Sequence, residues 1–443
     1  MFTFRIVVAS ALLAVLAAWS VPACATEPNL EWIRTYDGPA HRGDNFDAVA
    51  LDAAGNVYVA GSQDYRWYQF QTPDILVMKY DPLGNAIWTD TYDSPAHDWD
   101  RACGDAVDMT SGYLYVAGYT ARPDLGQNMN MWLRKYDLNG NVVWTREYDN
   151  PAHDNDSGYA VAIDSQGSVY VAGMVDRADL NQTHNMVLWK YDANGNLLWD
   201  RSYTNPTHSV SVERNWGMGV TTDQYGNAYV TGYQYVEGQN SNVWLRKYDA
   251  SGNTIWTQTY DSPAHDLDQG SGVVVDSQGN VYVTGCEVRS DLGQSYNILL
   301  RKYDANGNFL WMQTYDSPAH NDDDGCGIAL DAAGNVYVTG GEVRFDLDQW
   351  YNIWTREYDP NGNVLWTKTY DSPAHEWDLG DGIAVTPSGD AIYVSGTELR
   401  NDLGQESNAL LLKYSSIPEP TALMLMAPAL MGMAGLILKR KMR

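Results

Sequence analysis

The sequence predicts an all-β fold: a seven-bladed β-propeller with four antiparallel strands per blade. Three observations predict it. A Trp, a Tyr four residues later and a Pro-x-His turn recur seven times, at Trp32, Trp88, Trp144, Trp199, Trp256, Trp311 and Trp366. The spacings are 56, 56, 55, 57, 55 and 55 residues, so one structural unit repeats along the chain. Each full period holds four short strand-like runs, the strand count of a propeller blade. The repeat region opens on a lone last strand, Trp32 to Tyr36, and closes on a unit that stops at its third strand, Ala409 to Tyr414. If the N-terminal strand completes the last blade, no blade is left unfinished.

Residues 1–25 read as a secretory signal peptide. Arg5 precedes an apolar run from Ile6 to Trp19, and Ala23-Cys24-Ala25 is a small-residue cleavage site. Lipid anchoring at Cys24 is the alternative, although Pro22 fits a lipobox poorly. Residues 26–416 are the propeller, and residues 417–443 a sorting or membrane segment. In that tail Pro418-Glu419-Pro420 leads into 18 uncharged residues, Thr421 to Leu438, the lower limit for a span. Lys439, Arg440, Lys441 and Arg443 follow, and such a cluster holds its end in the cytoplasm.

The fifth period shows the unit. GVVVDSQGNVYVTG and NILLRKYDANGNFLWMQTY each hold two runs around an Asp-x-x-Gly-Asn turn. The Asp side chain can cap backbone N–H groups of its own turn, and Gly takes the left-handed conformation. The continuously apolar Val273-Val274-Val275 is expected to be buried on both faces, and the mixed run around Trp311 to lie outermost. The repeated tryptophans are read as docking residues between blades rather than sugar platforms. Seven histidines, His41, His97, His153, His208, His265, His320 and His375, occupy the Pro-x-His turn. They are expected to staple it by bonding nearby backbone.

Three of these segments carry resemblances. Pro-Glu-Pro, a short apolar helix and a terminal basic cluster resemble the PEP-CTERM sorting signal. That resemblance implies recognition by an exosortase and delivery to the cell envelope or exopolysaccharide matrix of a Gram-negative bacterium, with transient anchoring in the inner membrane. DSQGNVYVTG, DAAGNVYVAG and DAAGNVYVTG resemble the SBBP family of bacterial β-propeller repeats. YDANGNFLW is similar to the tryptophan-docking repeat of quinoprotein propellers. Both repeat resemblances imply a propeller.

Charge excludes some partners. The 443 residues carry 56 Asp and Glu against 28 Lys and Arg, a net −28. Without the two end segments the body is near −32. Such a surface repels phosphate backbones, so nucleic acid is not an expected partner. Strand alternation places all Asp-x-x-Gly-Asn turns on one face and the longer links on the other. The non-repeating aromatics gather on the long-link face: Tyr65, Trp67, Tyr68, Trp99, Trp216, Trp350, Tyr351 and Trp377. Flat rings with a polar handle suit sugars or protein partners. Acidic pairs follow several turn histidines: Asp98 and Asp100, Asp154 and Asp156, Asp266 and Asp268, Asp322 and Asp324, Glu376 and Asp378. Carboxylates two apart on a loop can approach one calcium ion, although the closing Glu of a full calcium loop is missing. Cys286 and Cys326 fall in adjacent blades and are candidates for a disulfide. No Ser-His-Asp order, metal-ligand cluster or cofactor fingerprint appears, so no catalytic residue is assigned. The expected function is non-enzymatic binding of polysaccharide or an envelope partner. The alternatives are a purely structural component, or a propeller enzyme of the quinoprotein dehydrogenase or polysaccharide lyase kind.

Overall fold

The computed structural model describes residues 27–65, 72–180, 182–204 and 215–415. Both end segments lie outside these residues, Pro418, Glu419 and Pro420 included, as do Trp67, Tyr68, His208 and the side chain of Tyr65. Residues 28–416 form one compact unit of seven four-stranded antiparallel sheets. Blades 1 to 6 take their strands in chain order. Blade 5 runs outward through Asp268–Val275, Val281–Val288, Tyr296–Tyr303 and Phe309–Tyr315. Among the described residues no helix is long and apolar enough to cross a membrane.

The seventh sheet joins the two ends of the repeat region. Asn29–Tyr36 pairs antiparallel with Ser407–Ser415, matching Arg34 to Leu411 and Tyr36 to Ala409. The lone N-terminal strand therefore becomes the outer strand of blade 7, as the repeat count requires.

The local turns form as their residues dictate. Asp304 accepts from the backbone N–H of Asn306 and Asn308 at 2.9 and 2.8 Å, and from the Asn308 amide at 2.8 Å. Gly307 holds φ +84°, a conformation open to glycine.

Burial follows strand position. Val281–Val288, the second strand of blade 5, is buried at every residue because neighbouring blades cover both its faces. The inner strand differs from expectation. Val273 is buried, but Val274 and Val275 are half-buried, because the innermost strand faces the propeller axis as well as its blade. The hydrophobic core consists of layers between blades. One layer packs Tyr58, Ala60 and Val77 of blade 1 against Leu114, Val116 and Trp132 of blade 2.

The repeated tryptophans dock blades, as expected. The Trp88 and Trp144 indoles donate to the Leu138 and Ala193 carbonyls in the next blade's outer turn, each at 3.3 Å. Lys79 and Lys135 donate to those same two carbonyls at 2.8 and 3.0 Å. The turn glycine lies flat on the ring: a Cβ on Gly140, at φ +91°, would come within 2.9 Å of Trp88.

Blade 6 departs from this pattern for a topological reason. Blade 7 has no turn between its third and outer strands, because they come from opposite ends of the repeat region. Trp366 therefore has no turn carbonyl ahead of it. Its indole instead donates to Glu357, which stands where the other blades carry lysine and also accepts from the Tyr337 hydroxyl at 2.9 Å.

Candidate functional site

The long links share one face and zip together across successive strands. The Trp350 N–H donates to the His375 carbonyl at 3.3 Å, and the Asn128 N–H to that of His153 at 3.1 Å. Six turn histidines, all those described, hold a left-handed φ between +49° and +58°. Their rings are exposed. Each Nδ1 pairs with the aspartate four residues earlier, as His320 does with Asp316 at 2.5 Å and His375 with Asp371 at 2.6 Å. The staple thus runs to a carboxylate and not to backbone. Hydrogen bonding to Asp93 raises the His97 pKa above its ordinary value.

The acidic pairs do not converge on a common point. In four of the five pairs the second member turns inward and caps its own link. Asp100 accepts from the Ser94 N–H at 2.5 Å, Asp156 from that of Asn150 at 2.7 Å, and Asp268 from that of Ser262 at 2.5 Å. Asp378 caps Ser372 in the same way. In blade 6 the capping residue is Asp323, bonded to the Ser317 N–H, so the expected pair Asp322 and Asp324 is shifted by one. Asp324 belongs to the opposite strand face. Four of the first members bond elsewhere: Asp98 to the Trp99 N–H at 2.8 Å, Asp154 to that of Ala178 at 3.1 Å, and Asp266 to Asn240 at 3.2 Å. Asp322 accepts from the Ser295 hydroxyl. Among the described residues no three His, Cys, Asp or Glu side chains form a metal-ligating group. Cys103, Cys286 and Cys326 are free thiols, so Cys286 and Cys326 are not bridged.

Burial pushes the capping carboxyls Asp100, Asp156, Asp268, Asp323 and Asp378, and Asp44, which accepts from the Gly38 N–H at 2.5 Å in blade 1, up to about 7, against the pull of their N–H bonds. Unfolded, they titrate near 4, so the folded form takes up protons between these limits. Their stabilising contribution is complete below about pH 4 and is lost as pH rises through about 7. The turn aspartates Asp137, Asp192 and Asp304 are held below the usual range by their Asn partners, and weaken only as pH falls further. Melting temperature is therefore expected to rise from pH 8 to pH 5 and to fall below pH 4. A steady fall from pH 8 to pH 5 in calorimetry contradicts this assignment.

The axis carries a feature the sequence reading missed. Every inner strand shifts register at an equivalent bulge, which gives Asp47, Cys103, Tyr159, Met218, Ser271, Cys326 and Asp381, and blade 1 has a second shift between Gly43 and Asn45. Docking positions repeat, whereas these seven residues are of five different types. The first five line an axial cavity of about 200 Å³ to which all seven inner strands contribute. The waist is narrow because small residues follow the bulges: a Cβ on Gly104 would meet the Ala160 Cα at 2.9 Å. Arg101 grips Asp47 through two bonds of 2.9 and 2.5 Å. A small-x-small pattern, such as Gly270-Ser271-Gly272, marks most of these positions in the sequence.

The aromatics expected on the long-link face divide by burial. Trp350 and Trp377 are 52% and 42% exposed. Tyr351 is buried beneath Trp377, with ring centroids 4.2 Å apart. Trp216 is half-buried among Tyr159, Tyr233 and His184. Trp99 lines a cavity of about 310 Å³ with Arg101, Asn45, Ser62, Pro73 and Ser407.

Residues 264–285 match the SBBP β-propeller repeat family. No curated protein matches the chain. Among solved structures, the polysaccharide lyase Uly1 is 12% identical, with a TM-score of 0.53, over 90% of this chain and 96% of the lyase. A protein of unknown function from Bacteroides caccae is 11% identical, with a TM-score of 0.42, over 70% of this chain and 93% of its own. The matched repeat and the seven observed sheets together make this chain a β-propeller repeat protein.

Proposed function

We propose that this is an exported propeller of the Gram-negative cell envelope or extracellular matrix, which binds polysaccharide without turning it over. The carrying observation is the pair of exposed indoles, Trp350 and Trp377, on the long-link face. The seven repeated tryptophans serve docking between blades, and neither of these two takes part in it. Exposed indole faces stack on the apolar face of a sugar ring. The cavity beside Trp99 adds hydroxyl, amide and guanidinium groups in a volume that takes one or two sugar rings. The signal peptide and the Pro418-Glu419-Pro420 tail supply the route, with an exosortase as the sorting partner.

A second reading, catalysis on the same class of polymer, draws on the fold shared with a polysaccharide lyase. Panel binding of the purified protein separates the readings. Saturable glycan binding that weakens at least about tenfold in Trp377→Ala, with no new chain ends, is the expected result. Appearance of shortened or unsaturated products establishes the enzyme reading instead. Silence across the panel leaves a structural component.

A further inference from the structure

We propose that the ligand is a cationic amino-sugar polymer and that it docks on the aromatic and acidic platform of blade 6; this rests on the polysaccharide-binding reading and narrows it. The link between second and third strands follows one pattern in five blades, with RADLNQ at residues 177–182 in blade 3. It reads Arg-x-Asp-Leu-Gly-Gln in blades 2, 5 and 7, and RFDLDQWY at residues 344–351 in blade 6. Blade 6 thus gains Phe345, Asp348 and Trp350, and all three are exposed.

Asp348 is the most telling of these residues. It stands where the sister links have Gly126, Gly293 and Gly404, at φ +74°, +73° and +72°. Asp348 holds φ +61°, in the left-handed region that favours glycine. The turn needs no carboxylate there, and that carboxylate forms no hydrogen bond or ion pair with any described residue.

The platform is rigid. Gln349 donates to Asp371 at 2.6 Å, tying this link to the next. Phe345 meets Trp350 edge-on, at 87° and 5.6 Å between centroids. Trp377 covers Tyr351, and Glu376 precedes it with a carboxylate equally free of described partners. Exposed indoles with unpaired carboxylates one or two residues away along the chain supply the chemistry that recognises an ammonium group.

Charge complementarity points the same way. The chain has twice as many acidic as basic side chains, and many of the basic ones are committed internally. Lys79, Lys135, Lys190, Lys302 and Lys413 donate to carbonyls of the adjoining blade. Arg289, Arg344 and Arg400 pair with the aspartate two residues on. The resulting field repels uronate polymers and attracts amino sugars.

Isothermal titration of the whole protein tests this with a glucosamine hexamer, its N-acetylated form, a neutral glucan and alginate. The free-amine hexamer is expected to bind about tenfold more tightly than the N-acetylated one, and to weaken with salt. Trp350→Ala and Asp348→Gly should each cost about tenfold. Asp348→Gly restores the sister sequence, so its melting temperature should hold or rise. Equal affinity for the two hexamers, or an Asp348→Gly protein that binds as before, overturns the proposal. Binding of the glucan or alginate with an inert glucosamine hexamer overturns it while leaving the polysaccharide reading standing. Silence toward all four defeats both. Capture of polylysine by the same residues without the hexamer assigns a protein ligand and also overturns it.

Discussion

Replacing Asp105 by valine is expected to stabilise the protein by about 3 kcal/mol. Asp105 occupies the inner-strand position held by Val49, Val161, Val220, Val273, Ile328 and Ile383 in the other six blades. Both of its carboxylate oxygens are buried without a hydrogen-bond partner. Desolvation by burial raises its pKa well above the ordinary carboxyl value. A buried carboxyl with no partner costs roughly 2–7 kcal/mol, and a valine there would gain apolar contact. The raised pKa also sets a pH signature. Stability from the protonated group is complete below about pH 4 and declines as pH climbs toward the folded value, so the advantage of valine should grow with pH. Denaturant titration at pH 5 and pH 8 reads both effects. A valine protein less stable than the parent would mean that Asp105 has a partner in the folded state.

Deleting residues 29–36 should lower the melting temperature by more than about 10 °C. This one strand supplies the docking Trp32, whose ring lies 5.9 Å from Tyr393. It also supplies Arg34, which donates to Gly84 and Leu83 of blade 1 at 2.6 and 2.9 Å. Losing a docking Trp alone costs roughly 3–5 kcal/mol. Without the strand, Ser407–Ser415 becomes an open edge, ready to pair with another chain. Calorimetry reads the loss, and sedimentation should show association. A peptide of residues 27–37 added in trans should restore much of the melt. An unchanged melting temperature would remove the closing strand from the stability of the ring.

Much of this architecture was legible because repetition shows position. Seven tryptophans at near-constant spacing announced seven equivalent docking sites, and the unequal end units announced their pairing. The Asp-x-x-Gly-Asn turns were legible because their bonds are local: Asp304 caps residues two and four further on. Legibility failed where contacts are distant. Three consecutive aspartates, Asp322 to Asp324, concealed which one faces inward, since only strand pairing sets that register. The histidine partner was misread because the turn folds Asp316 back onto His320.

The sequence by itself determined the number of blades, their four-strand plan, the docking tryptophans and the closing strand. Each follows from periodicity and local turn chemistry, which the chain carries without reference to its neighbours. Tertiary structure alone decided which aromatics stay in water, which residues bulge toward the axis, and that the Asp105 carboxylate oxygens are buried without a partner. Burial and register depend on what the adjoining blade covers, and that blade lies about 55 residues away along the chain. Trp350 and Tyr351 are neighbours in sequence, yet one is exposed and the other lies beneath Trp377. Successive side chains on a strand face opposite ways, and the next blade covers only one of those faces.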